Sequence, residues 1–311
     1  MLAECQGVNE LVILFFKEKT ILVSVPPRIN LETYSIPEGT VVISEYAFCG
    51  CRNLRKISIP KSVVRIEHDA FEACDNLEEI IVHPDNSFYY SKKGVLYEKV
   101  SDMLWMRSTE CRRLIKIPQA KKIHSGRAKF HYFDIDEIAP HALSGCKFFN
   151  EISIHMTTNI DYVIDNLPNL RVLSLACDRL PEIDYGNIEI LNIKGVVYFD
   201  GIGMYSKKLR EVNVESRFYY SVDGVVFTKN HELVFYPPMK ENAVYELPSN
   251  TTIIVEPDIF ACSSFLEELI INSSVKIRIK DELIPIQDYL NKGNTFKLYD
   301  DERTLKIIIR N

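Results

Sequence analysis

Residues 36–59 overlay residues 59–82 with every shared position displaced by 23. Pro37 falls on Pro60, Ile43 on Ile66, Ala47-Phe48 on Ala70-Phe71 and Cys51 on Cys74. Asn53-Leu54 then falls on Asn76-Leu77, and Ile57 and Ile59 fall on Ile80 and Val82. The frame is I-P-x-x-V-x-x-I-x-x-x-A-F-x-x-C-x-x-L-x-x-I-x-I, with Thr40 in the first copy where the second has Val63. Parts of it return at Ile138-Leu143-Cys146-Phe149-Ile152-Ile154 and at Phe260-Leu266-Leu269-Ile271. Weaker copies at Leu170-Leu173-Leu175, Ile188-Leu191-Ile193 and Leu209-Val212-Val214 are spaced by 18 and 21 and lack the Ala-Phe element. A unit this short buries its inner face only against neighbouring units, so the repeat predicts a stack of coils. Each copy closes on L-x-x-I-x-I, the period-two alternation of a short strand.

A larger repeat is superimposed on the first. Residues 88–118 match 218–248 at an offset of 130, including Phe88-Tyr89-Tyr90-Ser91 over Phe218-Tyr219-Tyr220-Ser221 and Gly94-Val95 over Gly224-Val225. A third copy lies at the N-terminus, offset 211 from the last, with Phe16 over Phe227 and Pro26-Pro27 over Pro237-Pro238. Each copy has an apolar run, a polar turn and a second apolar run, which is a β-hairpin signature. An isolated hairpin is marginal in water, so these modules are expected to fold onto the edge or flank of the stack.

The 36–82 frame, with the Asp85-Asn86-Ser87-Phe88-Tyr89 stretch before the hairpin, resembles the BspA-type leucine-rich repeat. The resemblance spans roughly residues 11–275, strongest at 36–84 and 138–154. It implies a mainly β protein within the α/β class: a leucine-rich-repeat solenoid with short parallel strands, short helical turns and β-hairpin insertions. Members of the family are mostly bacterial, often secreted or on the cell surface, and serve as protein- or matrix-binding scaffolds. On this reading residues 1–35 form an N-terminal hairpin cap and 36–275 the solenoid, with hairpin insertions near 85–118 and 216–248. Residues 276–311 form a C-terminal cap, all in one continuous domain. Ile277–Ile279 and Lys306–Ile309 are its expected closing strands.

Composition narrows the partners. The formal net charge of −6 lacks the basic footprint of a nucleic-acid groove, so no nucleic-acid partner is expected. The longest purely apolar run, Leu11 to Phe16, is far below the 18–20 or so residues of a membrane helix, so no membrane insertion is expected. It is also short for the core of a signal peptide, and no Lys or Arg precedes it. The location stays open: extracellular or cell surface if a leader was removed, otherwise cytoplasmic.

The eight cysteines do not read as a disulfide scaffold in 311 residues. Cys51, Cys74 and Cys146 share one repeat position, where a small thiol is a normal core residue. Parallel side chains in adjacent coils leave their Cβ atoms too far apart to bridge. Cys49-Gly50-Cys51 with His68 and Cys74 lacks the paired spacing of a zinc site, so no metal is expected. His68 and His141 occupy nearly matching positions, one residue out of register. Gly201-Ile202-Gly203 lacks the third glycine of a dinucleotide loop, and Asp161, Asp165 and Asp184 are too far apart for a calcium loop, so no cofactor is expected.

The better candidate is the strand face. The residue between the last two inward positions of each unit should point outward, and Ser58, Ser153, Ser174, Asn192 and Asn213 form a mostly small, polar column there. Solenoids use such faces for binding. The aromatic triplets are expected to pack the hairpins onto the coils, as is Trp105. These features predict a non-catalytic scaffold that binds a protein or glycan partner through its strand face. The competing reading is a hydrolase or metal-binding protein with its site in the irregular middle, residues 155–215.

Overall fold

The computed structural model describes residues 13–100, 111–121, 127–131, 137–155, 163, 166–180, 185–199, 207–298 and 303–310. The fold is mostly β. The described helical structure is one short 3-10 turn, Pro257–Phe260, and one helix, Ile286–Asn291. The chain divides into two compact units, residues 1–149 with 158–169, and residues 150–157 with 170–311.

In the first unit the repeat frame becomes two parallel ladders. The L-x-x-I-x-I segments form Lys56–Ile59 and Glu79–Val82, with Thr33–Ser35 beside them, and Ile57 pairs in register with Ile80. The V-x-x-I segments form two-residue strands, Val42–Ile43 and Arg65–Ile66, in register at Ile43 and Ile66. Between the ladders lie Ala47, Phe48, Cys51, Leu54, Ala70, Phe71, Cys74 and Leu77, all buried. Burying one such large apolar side chain is worth about 1.5–3 kcal/mol, so the repeat of apolar positions is the main force holding the coils together.

In the coil between Ile253–Ile254 and Glu268–Asn272 the connecting segment holds a short helical turn, Pro257–Phe260, whereas in three other coils it is built on tight turns. The residue before each Ala-Phe or Ala-Leu pair has positive φ: Tyr46 at 56°, Asp69 at 54° and His141 at 57°. Each carbonyl there accepts the N–H three residues on, from Cys49, Glu72 and Ser144. The residue before each repeat cysteine is also left-handed: Gly50 at 74°, Ala73 at 51° and Gly145 at 78°. Two left-handed residues four positions apart stop a helix from propagating. His141 therefore stands in register with Asp69, not His68.

The hairpins do not lie on the flank of the coils. In the first unit Tyr89–Lys92, Val95–Val100 and Cys111–Lys116 form an antiparallel meander. Its last strand then pairs in parallel with Glu137–Ile138, Leu114 against Ile138. Leu22 of Ile21–Ser24 pairs with Ile43 in the same way, after the hairpin with Leu14–Phe16. Each module is thus a crossover that ends in the short-strand ladder. The first meander turn has Lys93 at 53° and Gly94 at 75°, the two positive φ values of the hairpin turn that matches strand twist. Trp105 lies outside the described residues.

The second unit repeats this plan, at the offset of 130 through the first two meander strands, whereas in the last strand Leu114 corresponds to Leu233 and not, as that offset expects, to Val244. Glu151–His155, Val172–Ala176, Ile190–Lys194 and Glu211–Glu215 run parallel, with Ile152, Leu173, Leu191 and Val212 in register. Tyr219–Val222, Val225–Thr228 and Glu232–Phe235 form the meander, and Leu233 pairs with Ile254 of Ile253–Ile254. The anchoring bonds are duplicated as well. Ile80 N–H donates to the Gly94 carbonyl and Val212 N–H to that of Gly224, both at 3.0 Å. Tyr90 stacks on Tyr97 with centroids 5.0 Å apart, and Tyr220 on Phe227 at 5.7 Å.

The two strands expected to close the chain belong to different sheets. Lys276–Ile279 continues the short-strand ladder from Ile253–Ile254 and turns back through Glu282–Pro285. Lys306–Arg310 pairs in parallel with Glu268–Asn272, which in turn pairs with Val244–Glu246. Ile286, Tyr289, Phe296, Leu298 and Leu305 are buried in the core beside these strands.

Candidate functional site

On the parallel strands of the second unit, alternation sends Leu173, Leu191 and Val212 inward and the intervening residues to the opposite face. Ser153, Ser174, Asn192 and Asn213 stand in one register column there. The column is joined by side-chain hydrogen bonds. Asn192 Nδ2 donates to Ser174 Oγ at 3.0 Å, and Asn213 Nδ2 donates to Asn192 Oδ1 at 3.0 Å and to Glu211 Oε1 at 2.7 Å. Ser174, Asn192 and Asn213 are half-buried, whereas Ser153 is only 7% exposed and closes the inner end of the row. Ser58 is not brought to this row. It lies in the first unit between Ser35 and Ile81 on neighbouring strands.

The ladder holds both amide planes in place and leaves bonding capacity over. Among the described residues, Asn192 keeps one N–H and Asn213 keeps its carbonyl oxygen for an incoming group. Val172 and Ile190 form an apolar column on one side, and Ala176 and Lys194 lie on the other. Ion pairs frame the face: Arg171 to Glu189 at 3.4 Å, Arg210 to Glu189 at 3.8 Å and Lys194 to Glu215 at 3.3 Å. All are at least a third exposed to water and add little stability. The result is a pre-set row of amide and hydroxyl groups between an apolar and a charged margin.

The cysteines of the repeat are core groups with a bonding role that their spacing did not disclose. Each donates S–H to a backbone carbonyl of the preceding coil: Cys51 to Val25 at 3.5 Å, Cys74 to Phe48 at 3.1 Å and Cys146 to Ile117 at 3.6 Å. Burial pushes the Cys51 thiol up to about 11 and those of Cys74 and Cys146 up to about 12. They stay protonated near neutral pH, and none of the three is in a disulfide. A protonated thiol is a poor nucleophile and a poor metal ligand.

His68 instead pairs with Glu45, Nε2 to Oε1 at 2.7 Å, on the surface. Among the described residues no group of three or more His, Cys, Asp or Glu side chains is placed to hold a metal ion. Asp161, Asp165, Asp184 and Gly201–Gly203 lie outside the described residues. No helix among the described residues is long and apolar enough to cross a membrane.

Coils that each contribute a parallel strand, apolar inward and polar outward, define a leucine-rich-repeat protein. The repeats are of the BspA type: residues 27–101 match the family model of the BspA type leucine rich repeat region. No curated protein matches the chain. Among solved structures it is similar to a leucine rich cell surface protein of Faecalibacterium prausnitzii, with 19% identity, a TM-score of 0.35, and coverage of 79% of this chain and 55% of that one. A leucine-rich repeat protein of Eubacterium ventriosum gives 19% identity, a TM-score of 0.37, and coverage of 78% and 57%. The pneumococcal vaccine antigen PcpA gives 14% identity, a TM-score of 0.44, and coverage of 91% and 68%. The chain spans little more than half the length of the first two.

Proposed function

We propose that this protein is a binding scaffold without chemistry of its own, and that its strand face in the second unit receives a protein partner. The observation that carries this reading is the hydrogen-bonded row Ser174-Asn192-Asn213. Its side chains are oriented before any partner arrives, so binding loses little rotamer entropy. The row also retains a free donor and a free acceptor, and an apolar margin lies beside it. The repeat family adds support, because leucine-rich-repeat proteins serve as scaffolds for partners. Ser153, in register with Ser174, is the buried end of the row.

The test is capture of a partner by the intact chain compared with a chain carrying Ser174→Arg, Asn192→Arg and Asn213→Arg. A control substitution, Glu241→Arg, lies on an exposed turn of the same unit. Capture is expected to be lost in the triple variant and kept in the control. A specific partner held equally by both variants overturns the assignment to this face. Ser58→Arg asks separately whether the strand face of the first unit takes part.

A further inference from the structure

Lys116 is 6% exposed, although a lysine is almost never buried without an opposite charge beside it. It ends the last strand of the meander in the first unit, at the position held by Phe235 in the sister module. Its Nζ donates to the carbonyls of His141 and Ser144, each at 3.3 Å. An ammonium has three N–H groups, so one remains. Its charge also acts on Cys74 and Cys146, against the effect of burial on both thiols. Among the described residues no carboxylate lies within ion-pair distance of it.

Lys116 lines a cavity of about 100 Å³ within this unit, between the turn of residues 66–72 and that of 139–141. The cavity exists because the meander interrupts the column of left-handed turns: Asp69 and His141 hold the same repeat position, and the chain entering between them supplies no such turn. Four other charged groups line it. Glu67 is taken by Arg65 at 2.6 Å and by the Glu45 N–H at 3.1 Å. Arg113 is taken by Glu98 at 3.2 Å and Glu137 at 3.0 Å. Asp69 and Glu72, both half-buried, are left without an ion-pair partner among the described residues. One buried cationic residue and two half-buried acidic residues therefore line the same space.

We propose that this cavity binds a small zwitterion, an α-amino acid of the size of glycine or alanine. Its carboxylate takes the third N–H of Lys116, and its ammonium lies toward Asp69 and Glu72. The volume admits a molecule of that size. A simple anion satisfies Lys116 but meets two carboxylates at the other wall. A simple amine has the reverse difficulty, since it must share the cavity with the buried ammonium.

The test is calorimetric titration of the intact chain with glycine, alanine, acetate and methylamine at low salt. Glycine or alanine is expected to bind at least tenfold more tightly than acetate or methylamine. Lys116→Met fills the buried volume without charge and is expected to abolish binding while the chain stays folded. Asp69→Asn with Glu72→Gln, on the half-exposed wall, is expected to weaken glycine at least tenfold and to leave acetate bound no more weakly. Acetate binding as tightly as glycine in the unmodified chain overturns the zwitterion in favour of an anion site. No binding by any of the four overturns the site altogether and leaves the cavity to solvent.

Discussion

Asn213 donates through Nδ2 to Oδ1 of Asn192 at 3.0 Å, and the same nitrogen donates to Glu211 at 2.7 Å. Both donors of one amide are thus spent within the sheet, and its carbonyl oxygen is turned over to whatever approaches. The ladder is at once a clamp between coils and a surface. Asn192→Ala removes its two bonds to neighbouring coils and is expected to destabilise the chain by about 1–2 kcal/mol, since a net hydrogen bond is worth roughly 0.5–1.5 kcal/mol. Urea unfolding of the intact chain checks this, and an unchanged midpoint would show that the ladder does not hold the coils.

The buried thiols make stability depend on alkaline pH. A thiol ordinarily titrates at 9.0, whereas burial pushes Cys74 and Cys146 up to about 12 and Cys51 to about 11. Above pH 9 the unfolded chain releases protons that the folded chain keeps. The stabilisation is whole below pH 9 and is lost as pH rises toward 11–12, at up to about 1.4 kcal/mol per pH unit for each thiol. Replacing all three by Ala should flatten the fall in melting temperature over that window. A fall of equal slope in the triple variant would assign the effect to other groups.

Ala73 holds φ of 51° at a position where its repeat partners are Gly50 and Gly145. An L-residue in the left-handed region costs roughly 1 kcal/mol, and glycine relieves it at a similar cost in unfolded-state entropy. Ala73→Gly is therefore expected to be neutral, or to stabilise by up to about 0.5 kcal/mol. An ordinary Ala→Gly change destabilises by about 1 kcal/mol. Thermal unfolding distinguishes the two, and a loss of the ordinary size would mean that the turn is not left-handed in solution.

Tyr89, 3% exposed, accepts the Ile66 N–H on its hydroxyl oxygen at 2.9 Å. Tyr89→Phe leaves that amide without its partner and is expected to lose about 1–3 kcal/mol. Hydrogen exchange at Ile66 should accelerate with it. Unaltered protection of Ile66 would show that the amide finds another acceptor.

What was legible in the sequence was whatever recurs. The 23-residue frame placed Ile57 on Ile80, and they pair in one ladder. The offset of 130 placed Tyr90-Tyr97 on Tyr220-Phe227, and both pairs stack. The outward column through Ser174, Asn192 and Asn213 followed from strand alternation alone. The rest depends on geometry that identity does not encode. Tyr46, Asp69 and His141 share a backbone conformation without sharing chemistry, so no pattern marks the position. The hairpins were expected on the edge or flank of the stack, because a hairpin signature says nothing of the strand its last edge will meet. Lys116 escaped notice because one lysine among many is informative only once it is found buried.

That left-handed position has a consequence for how such a chain can vary. Tyr46, Asp69 and His141 are demanded for their backbone angle, and their side chains are at least partly open to solvent. The angle disfavours β-branched residues most strongly and is best tolerated by Gly, Asn, Asp and His, yet a tyrosine also holds it here. Aromatic, acid and imidazole already occupy this position in three coils, with the buried Ala beneath each left unchanged. Each of these three coils therefore carries one site at which chemistry can be rewritten without re-editing the core.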